Sequence, residues 1–483
     1  MLQRLRSFLF NNTTTKQTVA KNTVWLSISN FGGRLIKAAI IIYGARVLGT
    51  AGWGVFSYAV TLAGFITIFM DPGVNALLMR EGSKAGEEER LSLFSTTLVM
   101  KLCLLVLGVA VIIFIAPFFS TLPGAKALLP LVALILSFDT IRDFLSSYIR
   151  SQEKMEWEAF IFLLTNAAIV VFGFIFLSLA TTARSFAWGY VAGTAFGAAI
   201  AIVILRRSFR SVFSRFSGRL VGPIIRSAWP FAITGALGLL LTNTDVLIIS
   251  WMRSASEVGI YSAAIRVIQI LYLVPITLQF ATMPVFSRLA NRDDRKFRTT
   301  LERVIGSIFL VSIPLAIGGA ILGTQIMGLV FGNDYRPGGL AFTILMLTML
   351  VDYPATIISA AIFAYDHQKS LIVTSAIGGT ANVVLDLLLI PPFGIAGSAV
   401  ATIIAQTLAN GYLWRTMKRL NYFEIFPNIK KIILAGAIMG AVTAGLFMTG
   451  VNVVLNVAVS GALYCLLLWT FREPLLKEAA GIL

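Results

Sequence analysis

Long apolar runs, parted by short polar segments, set the plan of this chain. Fourteen runs each hold the roughly 20 residues needed to cross a hydrocarbon core. They are 23–43, 55–79, 93–117, 127–149, 157–180, 185–205, 226–250, 259–287, 304–331, 338–363, 370–391, 394–414, 432–449 and 453–471. Runs of this length predict membrane helices, because lipid offers the backbone no hydrogen-bond partner and a helix satisfies its own. The polar segments alternate in charge. With the N-terminus in the cytoplasm, 29 of the 39 Lys and Arg residues lie on the cytoplasmic side, counting Arg226 at the cytoplasmic edge of its run, five lie within runs and five lie outside. The outside five are Arg46, Lys126, Arg184, Arg253 and Arg336, never more than one per loop. Positive charge retained inside sets orientation, so a multi-pass protein of the cytoplasmic membrane is expected, with both termini in the cytoplasm.

Composition supports this plan. The chain is 57% hydrophobic and 13% charged, far from a soluble domain of its length. Its net charge of +17 is accounted for by cytoplasmic loops facing anionic headgroups, so membrane lipids are expected partners and nucleic acid is not. The first run is long, contains Arg34 and Lys37 and lacks a small-residue cleavage site, so no cleavable signal peptide is read. Cys103 and Cys465 fall inside distant helices, which argues against a disulfide or a metal site. The outer loops leave no room for a folded domain. One long cytoplasmic segment, 202–222, spaces Phe209, Phe213, Phe216 and Leu220 as on a helix, with Arg206, Arg207, Arg210, Arg215 and Arg219 among them. It reads as an amphipathic connector anchored to anionic lipid.

The chain also repeats itself. Gly54-Val55-Phe56-Ser57-Tyr58-Ala59-Val60 returns about 205 residues later as Gly259-Ile260-Tyr261-Ser262-Ala263-Ala264-Ile265. At an offset of about 213, Asp139 falls on Asp352, and Ser151-Gln152-Glu153 falls on Ala364-Tyr365-Asp366. Six spans separate the copies, and an even number preserves orientation. The expected fold is therefore an all-α polytopic membrane protein of 14 transmembrane helices. Two six-helix lobes are related by a parallel pseudo-two-fold repeat, and two extra helices follow at the C-terminus. The expected organisation is a cytoplasmic segment over 1–22, an N-lobe over 23–205, a connector over 206–225, a C-lobe over 226–414, and helices 13 and 14 with a tail over 415–483. Broken helices recur at matching places. Spans 1 and 7 carry polar and glycine interruptions, and spans 2 and 8 carry Pro72 and Pro275 with Pro284, a pattern that points to a substrate path.

Charges inside the runs bear the chemistry. Each costs about 2.5–3.5 kcal/mol at a helix centre, so their number argues for a wet interior. Arg34, Lys37, Lys101, Arg142 and Arg266 are candidate ligands for an anionic substrate, since guanidinium forks bind phosphate oxygens and lysine supplies a point charge. Asp71, Asp352 and Asp139 are candidates for exchanging H⁺ or Na⁺. Asp71 adjoins Pro72-Gly73, and Asp352 has no basic neighbour within a turn. Asp139, Arg142 and Asp143 share one helix face. Asp245 and Asp386, near the outer ends of their spans, are expected to snorkel. Spans 13 and 14 carry no internal charge and are placed as lipid-facing additions. The single histidine, His367, lies at a cytoplasmic turn. No nucleophile–base pair, metal cluster or phosphate-cradling loop is visible, so neither an enzyme nor a cofactor is expected.

At this point the residues resemble a family. Asn22-Thr23-Val24-Trp25, Ala45-Arg46-Val47-Leu48-Gly49, Gly52-Trp53-Gly54-Val55-Phe56 and Asp71-Pro72-Gly73 are similar to the polysaccharide-export branch of the multidrug/oligosaccharidyl-lipid/polysaccharide superfamily. So are Asn243-Thr244-Asp245, Phe331-Gly332-Asn333-Asp334-Tyr335, and Asn382 through Asp386 followed by Phe393-Gly394-Ile395-Ala396-Gly397-Ser398-Ala399. The resemblance covers about residues 20–415. It implies two six-helix lobes in a V around a cationic cavity and alternating access. It also implies a flippase that moves polyprenyl-diphosphate oligosaccharides outward for O-antigen or capsule synthesis. Polymerases or glycosyltransferases would be its partners. The related lipid II flippases use arginines on helices 1 and 8, which places Arg34 and Arg266 in matching positions. The chain departs from them at Leu35, where they carry an acidic residue. A lipid II flippase and a multidrug antiporter are the alternatives within the superfamily. A membrane glycosyltransferase or polymerase is the alternative outside it.

Overall fold

A computed structural model describes residues 15–209 and 215–475, and no described residue lies in a β-strand. The principal helices are α1 (Thr15–Met70), α2 (Val74–Gly82), α3 (Glu87–Ala110), α4 (Leu129–Ser151), α5 (Met155–Leu179), α6 (Ala183–Ile204), α7 (Gly218–Met252) and α8 (Ala255–Leu271). They continue as α9 (Leu273–Leu289), α10 (Asp294–Phe331), α11 (Gly339–Leu347), α12 (Met349–Ala364), α13 (Gln368–Leu420), α14 (Phe426–Met448) and α15 (Val453–Thr470). Among the described residues, ten helical segments are long and apolar enough to cross a membrane. Apolar side chains such as Phe118, Leu179, Met448 and Trp469 are exposed on them, as a lipid solvent permits. The chain is a multi-pass membrane protein.

Several expected loops are single-residue breaks. The 56-residue α1 turns at Gly49, with φ 66° and ψ 177°, inside the expected loop 44–54. The 53-residue α13 turns at Gly394, with φ 59° and ψ −142°, one residue past the expected loop 392–393. Both glycines hold a positive φ that a side chain would strain. Span 8, expected as one run, is two helices meeting at Tyr272. Between α7 and α8 only Arg253 and Ser254 are non-helical. Ser254 and Glu257 form a reciprocal capping box that starts α8.

Two compact units divide the chain, Met1–Leu240 and Leu241–Leu483. The boundary falls within α7. In the first unit α5 packs on α6 and on α1. Gly189, Gly193 and Gly197 stripe α6 where α5 lies closest. A Cβ at Gly193 would sit 2.5 Å from the Ile169 Cα, and one at Gly197 would sit 2.1 Å from the Thr165 Oγ1. Small residues let two backbones approach in lipid, where packing replaces hydrophobic burial as the driving force. A second cluster gathers Leu77, Phe94, Leu98, Phe144, Tyr148 and Ile224 from α2, α3, α4 and α7. In it Phe94 stacks on Tyr148 at 4.1 Å.

The second unit is built on α10, which packs against α11, α12 and α14. The C-terminal helices dock through polar contacts as well as small residues. Gly436 and Gly440 on α14 face Ile313 and Ile317 of α10. The Thr443 hydroxyl donates to the Ser460 Oγ at 2.8 Å, Ser460 donates to the Asn456 Oδ1, and the Tyr464 hydroxyl donates to the Leu310 carbonyl at 3.1 Å.

The ends of the expected segments shift. α1 already begins at Thr15, and Lys21, expected in a solvated N-terminal segment, is buried in an ion pair with Glu156 at 2.9 Å. The expected connector is not one separate helix. Arg206–Phe209 is a single turn, and α7 already includes Arg219 and Leu220. Arg210 and Phe213 lie outside the described residues. Cys103 and Cys465 are free thiols.

Candidate functional site

The charges of the first unit converge where α1 ends. At Asp71 the chain leaves α1, and Pro72-Gly73 start α2 in a new direction. The Asp71 Oδ1 accepts the Asn75 backbone N–H at 3.2 Å, which caps the new helix. Its Oδ2 lies 3.4 Å from the Nζ of Lys101, a side chain of α3 that is only 1% exposed. On α4 Arg142 is held between Asp139 at 2.8 Å and Asp143 at 2.7 Å, with the Phe162 ring 5.7 Å away. A cavity of about 390 Å³ opens among these groups. Thr67, Asp71, Asn75, Lys101, Asp139, Thr140 and Asp143 form its polar lining, and Ile68, Leu136 and Leu239 are among its apolar walls.

This geometry revises two expectations. Asp71 was placed away from any permanent cation, but Lys101 faces it. The pair joins α1 to α3, so no spacing within one helix could show it. Lys101 and Arg142, candidate ligands for an anion, are each paired with carboxylates, and for Arg142 these are the two on its own helix face. Buried guanidinium and ammonium groups retain counter-charges because an unpaired buried charge costs several kcal/mol.

Arg34, Lys37 and Arg266 do not line this cavity, though Lys37 acts electrostatically on its Asp139. Arg34 is exposed on α1. Lys37, one turn on, lies 5.2 Å over the Tyr190 ring. Arg266 is half-buried on α8 and donates to the Gln269 Oε1 at 2.9 Å.

Carboxylates of the second unit meet neutral donors. The Tyr272 hydroxyl donates to Asp352, as does the Asn410 amide, at 2.7 Å. Tyr353 donates to the Leu271 carbonyl at 2.6 Å, bracing the break between α8 and α9. A second cluster corrects the snorkelling expectation: Asp245 is 7% exposed and Asp386 is 0% exposed. The Tyr261 hydroxyl donates to the Asp245 Oδ2 at 2.7 Å and accepts from the Ser398 Oγ at 3.2 Å. Asp245 and Asp386 both act electrostatically on Tyr261. Neither oxygen of Asp386 has a hydrogen-bond partner among the described residues. A buried carboxylate in this state must neutralise itself with a proton or a small cation. Asn382 and Thr402 lie alongside, joined by a 3.4 Å hydrogen bond.

Sequence reasoning missed this pair because it judged depth by distance from the span ends. Burial here comes from α8 packing over the ends of α7 and α13. The signal was present in the Asp245 and Tyr261 motifs. Arg253, expected only as an outer-loop charge, has a further task. Its guanidinium donates to the Ile390 and Pro391 carbonyls at 2.7 and 2.6 Å. Those carbonyls lie just before the Gly394 break, where the helical ladder is interrupted.

Long broken helices, paired charges at their breaks and two helical units define a polytopic transporter. The chain belongs to the polysaccharide biosynthesis protein family, whose model matches residues 19–290, within the multidrug/oligosaccharidyl-lipid/polysaccharide superfamily. The MatE model matches residues 230–388. The chain is 24% identical over 481 residues to the "Probable low-salt glycan biosynthesis flippase Agl15" of Haloferax volcanii, covering 94% of this chain and 95% of that protein. It is 28% identical over 256 residues to the "Probable flippase AglR" of the same organism, covering 49% of this chain and 53% of that one. A solved structure of the lipid II flippase MurJ, in an inward closed conformation, superposes with a TM-score of 0.76 at 18% identity, over 94% of this chain and 100% of that one. At that identity the likeness concerns the fold.

Proposed function

We propose that this protein is a flippase that carries a polyprenyl-diphosphate-linked oligosaccharide outward across the cytoplasmic membrane for surface glycan synthesis. The observation that carries the reading is the end-to-end likeness to a glycan-biosynthesis flippase. Fourteen crossings in two six-helix lobes plus α14 and α15 complete the architecture, with both termini in the cytoplasm. The turn after α4 and the turn after α12 support the repeat. Glu153 and Asp366, 213 residues apart, both hold a left-handed φ, of 58° and 60°. The same backbone bonds close both turns, Lys154 to Ile149 and His367 to Ile362. The chain performs transport by alternating access, with no covalent step. Its partners are the glycosyltransferases that build the substrate and the polymerase that receives it.

Arg34 and Arg266 hold the diphosphate, assisted by Lys37. Lys101 and Arg142 set the charge of the first unit's cavity and do not grip the anion. Coupling to H⁺ or Na⁺ falls to the carboxylates with neutral partners, Asp352 and the Asp245–Asp386 pair. Asp71 and Asp139, held by Lys101 and Arg142, are the weaker candidates for exchange. Alanine at Arg34 or Arg266 tests the reading: surface glycan should vanish while the protein still reaches the membrane. Lysine should rescue in part, because the bidentate fork is lost. Normal export by both alanine variants would sink the assignment.

A further inference from the structure

The cavity of the first unit is ill suited to the phosphates of the proposed substrate. Three carboxylates line it, from Asp71, Asp139 and Asp143, against one lining ammonium, from Lys101. The Arg142 guanidinium lies behind, spent on Asp139 and Asp143. Lys37 acts on Asp139 from outside the lining, so the nearby charges balance and leave no cation to spare, and the oxygens of a diphosphate or a uronic acid would meet the lining carboxylates.

The same lining suits hydroxyl groups. A carboxylate offers about four lone-pair sites, and the ion pairs leave some of them open to the cavity. The Lys101 Nζ is buried and has no hydrogen-bond partner among the described residues beyond its ion pair with Asp71. The Asn75 Oδ1 is likewise buried without a partner. An ammonium with donor positions beyond its ion pair and an acceptor without a partner, at the wall of one cavity, suit a ligand that offers both kinds of group. The Thr140 hydroxyl can do either. Ile68, Leu136 and Leu239 supply apolar wall for the C–H face of a ring. The volume, about 390 Å³, lies in the range of small-ligand sites.

We propose that this cavity is a glycan subsite that receives an uncharged sugar ring of the lipid-linked oligosaccharide and discriminates against acidic sugars. The inference rests on the flippase reading above. It separates the two ends of the substrate: arginines for the diphosphate, and a neutral-sugar pocket between α1, α3, α4 and α7 for the glycan.

Binding to the full-length protein in nanodiscs tests it with three probes: farnesyl diphosphate, and the same diphosphate carrying N-acetylglucosamine or glucuronic acid. The N-acetylglucosamine probe should bind about tenfold more tightly than the bare diphosphate, as two or three new hydrogen bonds allow. The glucuronic acid probe should show no gain. Asn75→Ala and Thr140→Val should each cut the gain to about threefold or less, with bare-diphosphate affinity and melting temperature unchanged. Asn75→Ala keeps the backbone N–H that donates to the Asp71 cap. Equal affinity for the bare and N-acetylglucosamine probes would overturn the subsite and leave the flippase reading standing. A larger gain for glucuronic acid would overturn the charge assignment. A full gain in both variants would overturn the location. Failure of all three probes to bind the wild-type protein would overturn the flippase reading, and the subsite with it.

Discussion

In Met1–Leu240 buried cations face half-buried or exposed carboxylates: Lys101 meets Asp71, and Arg142 is clasped by Asp139 and Asp143. In Leu241–Leu483 buried carboxylates face phenols, amides and hydroxyls: Asp352 meets Tyr272 and Asn410, and Asp245 meets Tyr261. The difference is written at matching positions. Residues 139–143 read Asp-Thr-Ile-Arg-Asp, and 352–356 read Asp-Tyr-Pro-Ala-Thr. Ala355 stands where the repeat would carry Arg142, and Thr356 stands where it would carry Asp143. A carboxylate beside a fixed cation is held by it, and the Asp71–Lys101 pair joins α1 to α3. A carboxylate with neutral partners can gain or lose a proton or a small cation as its surroundings change. The first unit thus sets charges around a cavity, and on the proposed function the second holds the carboxylates that would exchange a proton or cation.

The largest effect should come from breaking the Arg142 cluster. Arg142→Ala removes the cation that Asp139 and Asp143 share; because Asp139 is half-buried and Asp143 exposed, the loss should be about 2 kcal/mol, short of that for a fully buried pair. Thermal unfolding in detergent should show it. Asp139→Asn combined with Arg142→Met should recover most of the loss, because neutral residues of similar volume replace buried pairs at little cost. An Arg142→Ala protein as stable as the wild type would mean that these charges brace nothing.

Next in size is the exchange site. Asp386→Asn removes a buried acid that has no hydrogen-bond partner among the described residues, so folding should be unharmed. Cation dependence should suffer. In proteoliposomes with an imposed Na⁺ or pH gradient, the ion concentration giving half-maximal flipping should rise by about tenfold or more. Asp71→Asn should leave that dependence in place. If Asp71→Asn abolished gradient dependence and Asp386→Asn preserved it, the roles of the two units would be reversed.

How far these assignments were legible from sequence depends on whether a partner lies on the same helix. Hydropathy showed a multi-pass helical protein, because lipid imposes the same length and the same backbone rule on each crossing. The cluster of Asp139, Arg142 and Asp143 was readable because helical spacing of three and four places side chains together. Gly49 and Gly394 marked turns, but the 11-residue loop expected at 44–54 is helical except at its centre. Contacts between helices left no such trace. Lys101 reaches Asp71 from a different helix, and Tyr272 reaches Asp352 across 80 positions. The burial of Asp386 depends on the packing of its neighbours. Candidate cations could therefore be named from sequence, but their neutralisation by residues of another helix, as for Lys101, could not.

The smallest effect isolates one neutral partner. Tyr272→Phe keeps the ring that packs 5.6 Å from Tyr353 and removes only the hydroxyl that donates to Asp352. Asn410 still donates to the carboxylate at 2.7 Å, so the loss in stability should be about 1 kcal/mol, that of one hydrogen bond. A double-mutant cycle with Asp352→Asn should return a coupling energy of about 0.5–1.5 kcal/mol. The matching cycle in the first unit, Lys101→Met with Asp71→Asn, should return more, because there each single variant strands a charge and the double variant strands none. That inequality follows from the contrast between the units. Equal coupling in the two cycles would show that Tyr272 restrains Asp352 as firmly as Lys101 restrains Asp71. Asp352 would then be a brace of the α8–α9 break, and exchange would rest on Asp245 and Asp386 alone.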